Sequence, residues 1–108
     1  MAGQPPARFG SITLTRAPLS TIVHLTGDID AGLRGPAGEA LAEAVHRHLP
    51  VVLETTGVTF IDSTGTAFLI QCATFARQEG LSVTLPDPPE AVASVLHLVG
   101  AEWLFDKR

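Results

Sequence analysis

The strongest constraint in this sequence is a short apolar strand that hands a serine to the first turn of a helix. Residues 51–65 read VVLETTGVTFIDSTG. The strand reads as Val51 to Thr55, and a loop then carries Val58, Phe60 and Ile61. Asp62, Ser63, Thr64 and Gly65 open an apolar segment that reads as a helix from Ser63 to about Glu79, with Gly80 as its C-terminal cap. A chain with this unit at its centre needs further strands beside it, because a lone buried strand leaves its backbone donors and acceptors unpaired.

The flanks supply them. Ser11 to Thr15 alternates, with Ile12 and Leu14 on one face and Thr13 and Thr15 on the other, as an edge strand with one wet face does. Arg16 to Ser20 contains Pro18 and fits a hairpin loop. Thr21 to Thr26 (TIVHLT) is more continuously apolar and reads as a strand covered on both faces, broken by Gly27-Asp28. A loop from Asp28 to Gly35 leads into a helix with Pro36 at its first position. Leu41, Val45 and Leu49 recur there every fourth residue with Ala37 and Ala44 beside them, Glu43 stands four residues before Arg47, and Pro50 ends the helix.

Downstream, Leu81 to Leu85 alternates as another strand. Asp87-Pro88-Pro89-Glu90 has the form of a helix start, with Asp87 as the cap; Val92, Val95, Leu96 and Val99 make its apolar stripe and Gly100 its stop. Trp103, Leu104 and Phe105 either fold back onto the core or form a docking strip. In the helix from Ser63, apolar residues cover most of the circumference and Gln71, Thr74 and Gln78 make one narrow polar stripe. Such a helix is buried on two sides or keeps an apolar surface for a partner. The pattern strand, strand, helix, strand, helix, strand, helix predicts an α/β fold with a mostly parallel sheet of four or five strands, an antiparallel N-terminal edge hairpin and three to four helices. Residues 1–8 read as a loose tail and 9–108 as a single domain.

Composition narrows the function. With 45% hydrophobic and 17% charged residues the chain is too apolar for disorder, yet its apolar runs fall far short of the roughly 20 residues that span a bilayer. The N-terminus lacks a charged segment followed by an apolar block, so the expected location is the cytoplasm. Eleven acidic against seven basic residues, with no cationic run, make a nucleic-acid surface improbable on charge alone. One cysteine, Cys72, forms no internal disulfide and reads as a buried, inert thiol.

Most candidate constellations lack a residue that their chemistry requires. Asp28, Asp30 and Glu39 match the end points of a calcium loop, but Gly32 stands where a third ligand is required and Leu33 where the sharp turn needs glycine. His46 and His48 are two apart on a helix, so their rings diverge by about 200° and do not chelate one metal. His24 reads as a hydrogen-bonded core histidine, and nothing in the sequence brings it or His97 next to Ser63. Phosphate loops of the GxxxxGK and GxGxxG types are absent. No metal and no cofactor is therefore expected. Asp62-Ser63-Thr64-Gly65 remains, with two readings. In one, Asp62 caps the helix, Ser63 and Thr64 fill the first turn and Gly65 permits close packing. In the other, Asp62 supplies the cap and so leaves the Ser63 hydroxyl free, facing solvent at the carboxyl edge of a parallel sheet, where such folds place their functional loops.

These residues also carry a resemblance. VVLETTGVTFIDSTGTAFLI closely resembles the central segment of STAS domains, in particular bacterial anti-sigma factor antagonists, in which a strand, a G-V-x-F-I-D-S-[ST]-G loop and a helix hold a phosphorylated serine. LTGDIDAG is similar to the turn after that family's second strand, and PPEAVASVLHLVGAEWLF resembles its closing helix and tail, so the likeness runs from about Ile12 to Phe105. Two places depart from the pattern: Glu54 stands near the strand end where Asp or Asn is common, and the turn Gly32-Leu33-Arg34-Gly35 is glycine-rich.

The resemblance implies a STAS fold and a small cytoplasmic regulator of transcription without catalytic activity, monomeric or weakly dimeric. Ser63, rather than Thr64, would be phosphorylated by an anti-sigma factor with serine-kinase activity, and a phosphatase would reset it. The unphosphorylated protein would bind that kinase through Asp28, Asp30, Phe60, Asp62, Ser63, Thr64, Gly65 and Thr66, and so free a sigma factor. No direct contact with nucleic acid and no membrane insertion is implied. The alternative within the same resemblance is a non-switching scaffold subunit of a stress-signalling or lipid-transporter complex.

Overall fold

The computed structural model describes residues 9–106. Its elements are β1 (Ser11–Arg16), β2 (Thr21–Ile29), α1 (Arg34–Arg47), β3 (Val51–Ile61), α2 (Ser63–Gln78), β4 (Val83–Thr84) and α3 (Glu90–Val99), with short 3-10 turns at Ala31–Leu33 and Glu102–Leu104. The four strands form one sheet in the order β1-β2-β3-β4. The β1–β2 hairpin is antiparallel, while β2–β3 and β3–β4 are parallel and joined through α1 and α2. Asp106 adds a single parallel bridge to Thr84 at the far edge. The α/β architecture, the antiparallel edge hairpin and the three helices are those the periodicity predicts.

Side-chain alternation sets which face is covered. Ile12 and Leu14 stand opposite Leu25 and Val23, Val23 opposite Leu53, and Val51 opposite Val83, so one face of the sheet is continuously apolar. Helix α1 lies over β1 and β2, α2 over β3 and β4, and the two helices touch. α3 packs against β3 and α2, placing Val92 and Leu96 in the same core. The polar face of the hairpin carries its own hydrogen bonds, Ser11 to Thr26 and Thr15 to His24, both at 2.8 Å. This corrects two expectations: β2 is buried on one face only, and His24 belongs to the partly exposed face rather than to the core.

Strand lengths differ from the sequence reading because of bulges. β2 does not break at Gly27-Asp28 but runs on to Ile29, since Gly27 adopts φ +72°, a conformation glycine takes without a Cβ penalty. β3 continues through the stretch read as a loop and ends at Ile61. Its register to β2 slips twice: His24 and Thr26 face Glu54 and Gly57, and Gly27 and Asp28 face Val58 and Phe60. Each slip adds one residue to β3. The buried positions therefore run Val51, Leu53, Thr55, Val58 and Ile61, and the lost alternation disguises a strand as a loop. Thr55, fully buried between the regular part and the first slip, has no hydrogen-bond partner for its hydroxyl.

Helix boundaries shift for backbone reasons. α1 begins at Arg34 after the 3-10 turn, which places Pro36 third in the helix rather than first; the missing N–H costs nothing there because first-turn donors have no intrahelical acceptor. His48, in the left-handed region, closes α1 before Leu49. The buried positions of α1 are Ala40 and Ala44, with Ala37 and Leu41 packed partly against the core, so small residues bring the helix close to the sheet. α3 starts at Glu90 with Pro89 as its cap residue, and Asp87 makes no cap. Pro89 explains this, because the residue preceding a proline is driven out of the helical region, so Pro88 cannot serve as the first helical residue after a cap at Asp87. β4 is only two residues long, since Leu81 N–H is spent on Ala76 O at the end of α2 and Pro86 has no N–H to pair.

The rest follows the sequence. α2 is packed by β3, β4, α1 and α3, leaving Ala67 and Phe75 as its apolar exposure. Burial pushes the Cys72 thiol up to about 12. Leu104 and Phe105 fold back onto the core, whereas Trp103 is 70% exposed and lies under the Arg77 guanidinium, 5.8 Å from the ring centroid. No helix of the described residues is long and apolar enough to cross a membrane.

Candidate functional site

The parallel strands β2 and β3 end side by side, and their exits build the site. Ile29 pairs with Ile61, and one residue later the Asp62 N–H donates to Ile29 O at 3.1 Å, so the start of α2 is tied to the end of β2. The Asp62 backbone is extended, and its carboxylate accepts the Gly65 N–H at 3.0 Å, the geometry of an N-cap. Asp62 O in turn accepts both the N–H and the hydroxyl of Thr66, each at 2.9 Å. Asp30 performs the matching task after β2, where its Oδ1 accepts the Gly32 N–H at 3.0 Å and caps the 3-10 turn.

With its cap supplied by Asp62, Ser63 stands exposed in the first turn of α2, and its hydroxyl makes no hydrogen bond within the described residues. Asp28 and Phe60 are register partners on adjacent strands; Asp28 accepts the Thr59 hydroxyl at 3.1 Å, and Phe60 is 52% exposed. The eight residues singled out in the sequence are thus gathered at one carboxyl edge. They differ in what they present. Asp30, Phe60 and Ser63 offer exposed side chains, Asp28, Asp62 and Thr64 are half-buried, and Gly65 and Thr66 are buried and shape the loop from beneath.

Between the starts of α1 and α2 lies an open groove of about 440 Å³. Ile29, Leu33, Ala37, Leu41, Ala67 and Phe68 make it largely apolar, and Asp30, Arg34, Ser63, Thr64 and Gln71 supply its polar atoms. Neither histidine nor cysteine lines it, so the Ser63 hydroxyl has no imidazole beside it. Among the described residues no group of three or more histidine, cysteine, aspartate or glutamate side chains is placed to hold a metal ion.

A protein-family model described as "Mlab, STAS domain" matches residues 12–105. The chain belongs to the STAS-domain family. Among solved structures, an anti-sigma factor antagonist from Mycobacterium paratuberculosis superposes with a TM-score of 0.74 at 20% identity, over 94% of this chain and 86% of that one. The unphosphorylated form of the anti-sigma factor antagonist SpoIIAA superposes with a TM-score of 0.71 at 13% identity, over 91% of this chain and 88% of that one. At these identities the likeness is one of fold. No curated protein sequence matches the chain.

The site of this STAS domain contains two features that are not among the residues expected to bind a partner. The first is the groove, in which α1 forms the wall opposite Ser63. The second is Arg34, which reaches that wall from the first helical residue of α1. A sequence signal for Arg34 existed, because a lone cation between Asp30 and the helix stands out in a chain with few basic residues. What periodicity could not supply was the pairing of the two helix starts across one opening.

Proposed function

We propose that this STAS domain is an anti-sigma factor antagonist, a cytoplasmic binding switch whose partner is an anti-sigma factor with serine-kinase activity. One observation carries the reading: Ser63 is exposed on the first turn of α2 with its hydroxyl uncommitted, because Asp62 caps the helix in its place. Two structures of the same fold are named as antagonists, which gives the reading its direction. Unphosphorylated, the domain binds the kinase through Asp28, Asp30, Phe60, Asp62, Ser63 and Thr64 over the loop shaped by Gly65 and Thr66. The kinase then delivers its ATP: Ser63 Oγ bonds to the γ-phosphorus, the bond from that phosphorus to the ADP oxygen breaks, and the hydroxyl proton passes to a base of the kinase. A phosphatase restores the hydroxyl.

The energetics place the switch at the interface. A phosphoserine adds about −1.5 to −2 charges at a helix N-terminus, where an anion is favoured by about 0.3–1 kcal/mol. The Asp62 carboxylate opposes it by a comparable amount, so the fold itself is little changed. At a partner surface the dianion must be desolvated, which costs several kcal/mol unless a cation meets it. Ser63→Asp is accordingly expected to abolish kinase binding, measured by titration calorimetry, while the thermal midpoint stays within about 2 °C of the parent, the change a few tenths of a kcal/mol would cause. Intact mass after incubation with ATP and the kinase should rise by one phosphate mapping to Ser63. An unmodified protein, or Ser63→Asp binding at full strength, would overturn the switch.

A second reading keeps the fold without the switch: a scaffold subunit of a stress-signalling or lipid-transporter complex. It is favoured by the description of the matching family model, which is Mlab rather than an antagonist. Under it, Ser63→Asp leaves assembly intact and Ser63 is never modified.

A further inference from the structure

The groove between α1 and α2 sets a serine that is proposed to acquire a phosphate in the same opening as an arginine that has no partner among the described residues. Ser63, Thr64 and Gly65 at the start of α2 line this opening together with Asp30, Leu33 and Arg34 at the approach to α1. The charged groups lining it are Asp30 and Arg34. The Asp30 carboxylate is already engaged through its hydrogen bond to Gly32 N–H.

Arg34 differs from the other arginines among the described residues. Arg16 is paired with Glu43 at 2.8 Å. Arg47 donates to three oxygens, of Ser20, Thr21 and Ala17. Arg77 lies 3.7 Å from an Asp106 carboxylate oxygen and over the Trp103 ring. Arg34 is exposed, at the first helical position of α1, and no hydrogen bond or ion pair engages it within the described residues. A cation at a helix N-terminus is also in its least favourable place with respect to the helix dipole. The position therefore owes nothing visible to the stability of α1, and an anion arriving in the groove would relieve its unfavourable field.

We propose that Arg34 receives the phosphate of phosphorylated Ser63, pairing across the groove through its planar guanidinium fork. This rests on the reading that Ser63 is the modified residue. A guanidinium presents parallel N–H donors that match two phosphate oxygens, a geometry that an ammonium group does not reproduce. The Ser63 and Thr64 N–H groups, which the Asp62 cap does not take up, complete the anion's surroundings, and the half-buried Asp62 and the capping Asp30 set the opposing field. The consequence reaches beyond charge. The phosphate–Arg34 bridge spans the mouth of the groove over Ala37, Leu41, Ala67 and Phe68, so modification covers from within an apolar surface that is open in the unmodified domain. Phosphorylation then weakens a partner's hold in two ways, by adding negative charge that one guanidinium offsets only in part and by closing the groove.

The test uses the full chain with phosphoserine installed at position 63 during translation, so that no kinase is involved. The second ionisation of the phosphate is followed by phosphorus NMR against pH, at low salt, in the parent and in R34Q, R34K and R77Q. Pairing favours the dianion, so the parent midpoint should lie about half a pH unit below that of R34Q, the size expected of a solvent-exposed ion pair. R34K should fall between them, and R77Q, which loses the same charge away from the groove, should match the parent. The difference should shrink as salt is added. Equal midpoints in the parent and R34Q, or equal displacements in R34Q and R77Q, would overturn the assignment. Circular dichroism confirms that each variant is folded. Failure of a kinase to modify Ser63 removes the switch reading and leaves this titration standing, whereas equal midpoints remove the Arg34 bridge and leave the switch.

Discussion

Gly65 brings the first turn of α2 so close to the strand ends that no side chain fits. A Cβ there would stand 2.7 Å from Ile61 Cγ1, 2.8 Å from Ile29 Cγ2 and 2.9 Å from Ile29 O. The first two atoms belong to buried side chains and the third to the backbone of β2, so little can yield. The same approach lets Asp62 N–H reach Ile29 O and holds Ser63 at the edge of the groove. Gly65→Ala is expected to destabilise the domain by about 1–3 kcal/mol, the usual cost of overpacking, read from the midpoint of urea unfolding. It should also weaken partner binding, because the loop must move outward to admit the methyl group. A neutral substitution would mean that the start of α2 is not clamped as described. Asp62 acts at the same scale, as a cap of the kind worth about 1 kcal/mol.

Among the elements, the union of the β1–β2 hairpin with α1 is the one made most by polar groups. Arg47, in the last turn of α1, donates through Nη1 to Ser20 O at 2.8 Å and Thr21 Oγ1 at 2.9 Å, and through Nη2 to Ala17 O at 2.8 Å. It thereby satisfies two carbonyls of the hairpin turn. Nearby, Arg16 pairs with Glu43 of α1 and holds that carboxyl below its usual range. Removing the guanidinium leaves part-buried acceptors without a donor, a loss of about 1–3 kcal/mol. Arg47→Met, which preserves the stem, should lower the urea midpoint by that amount and speed amide exchange in the hairpin more than in α2. Unchanged exchange at Thr21, whose N–H donates to Pro50 O at the α1–β3 connection, would show that the hairpin is held by its apolar contacts alone.

At the scale of the molecule, one apolar cluster runs from Ile12 in β1 through both sheet-covering helices to Leu104 and Phe105 after α3. Because its members come from every element, local opening of one removes contacts from its neighbours, and unfolding should be a single cooperative transition. Trp103 offers a check at the C-terminal end. Its fluorescence reports the contact with Arg77, whereas far-UV circular dichroism reports the helices. The two urea curves should superimpose, and an earlier fluorescence transition would show that the segment after α3 detaches on its own. The arrangement also explains the placement of the site. Crossover helices cover one face of β2 and β3, so function is left to the carboxyl ends of those strands, where two helix starts converge.

The order of the elements, the antiparallel edge, the Asp62 cap and the exposure of Ser63 were all determined by local features of the chain. Period-two and period-3.6 patterns, a capping aspartate and a glycine after it act over a few residues, and such signals can be read directly. The extents of β2 and β3 were decided by the tertiary structure, because two slips in pairing let buried positions fall three apart in β3, which no fixed period describes. Pro89 overrode the cap signal at Asp87 for a similar reason, since backbone sterics exclude the helix that the residue types favour. The groove is a property of the tertiary structure alone. Arg34 and Ser63 lie far apart in the chain and share an opening only because parallel pairing of β2 and β3 brings the two helix starts to one edge.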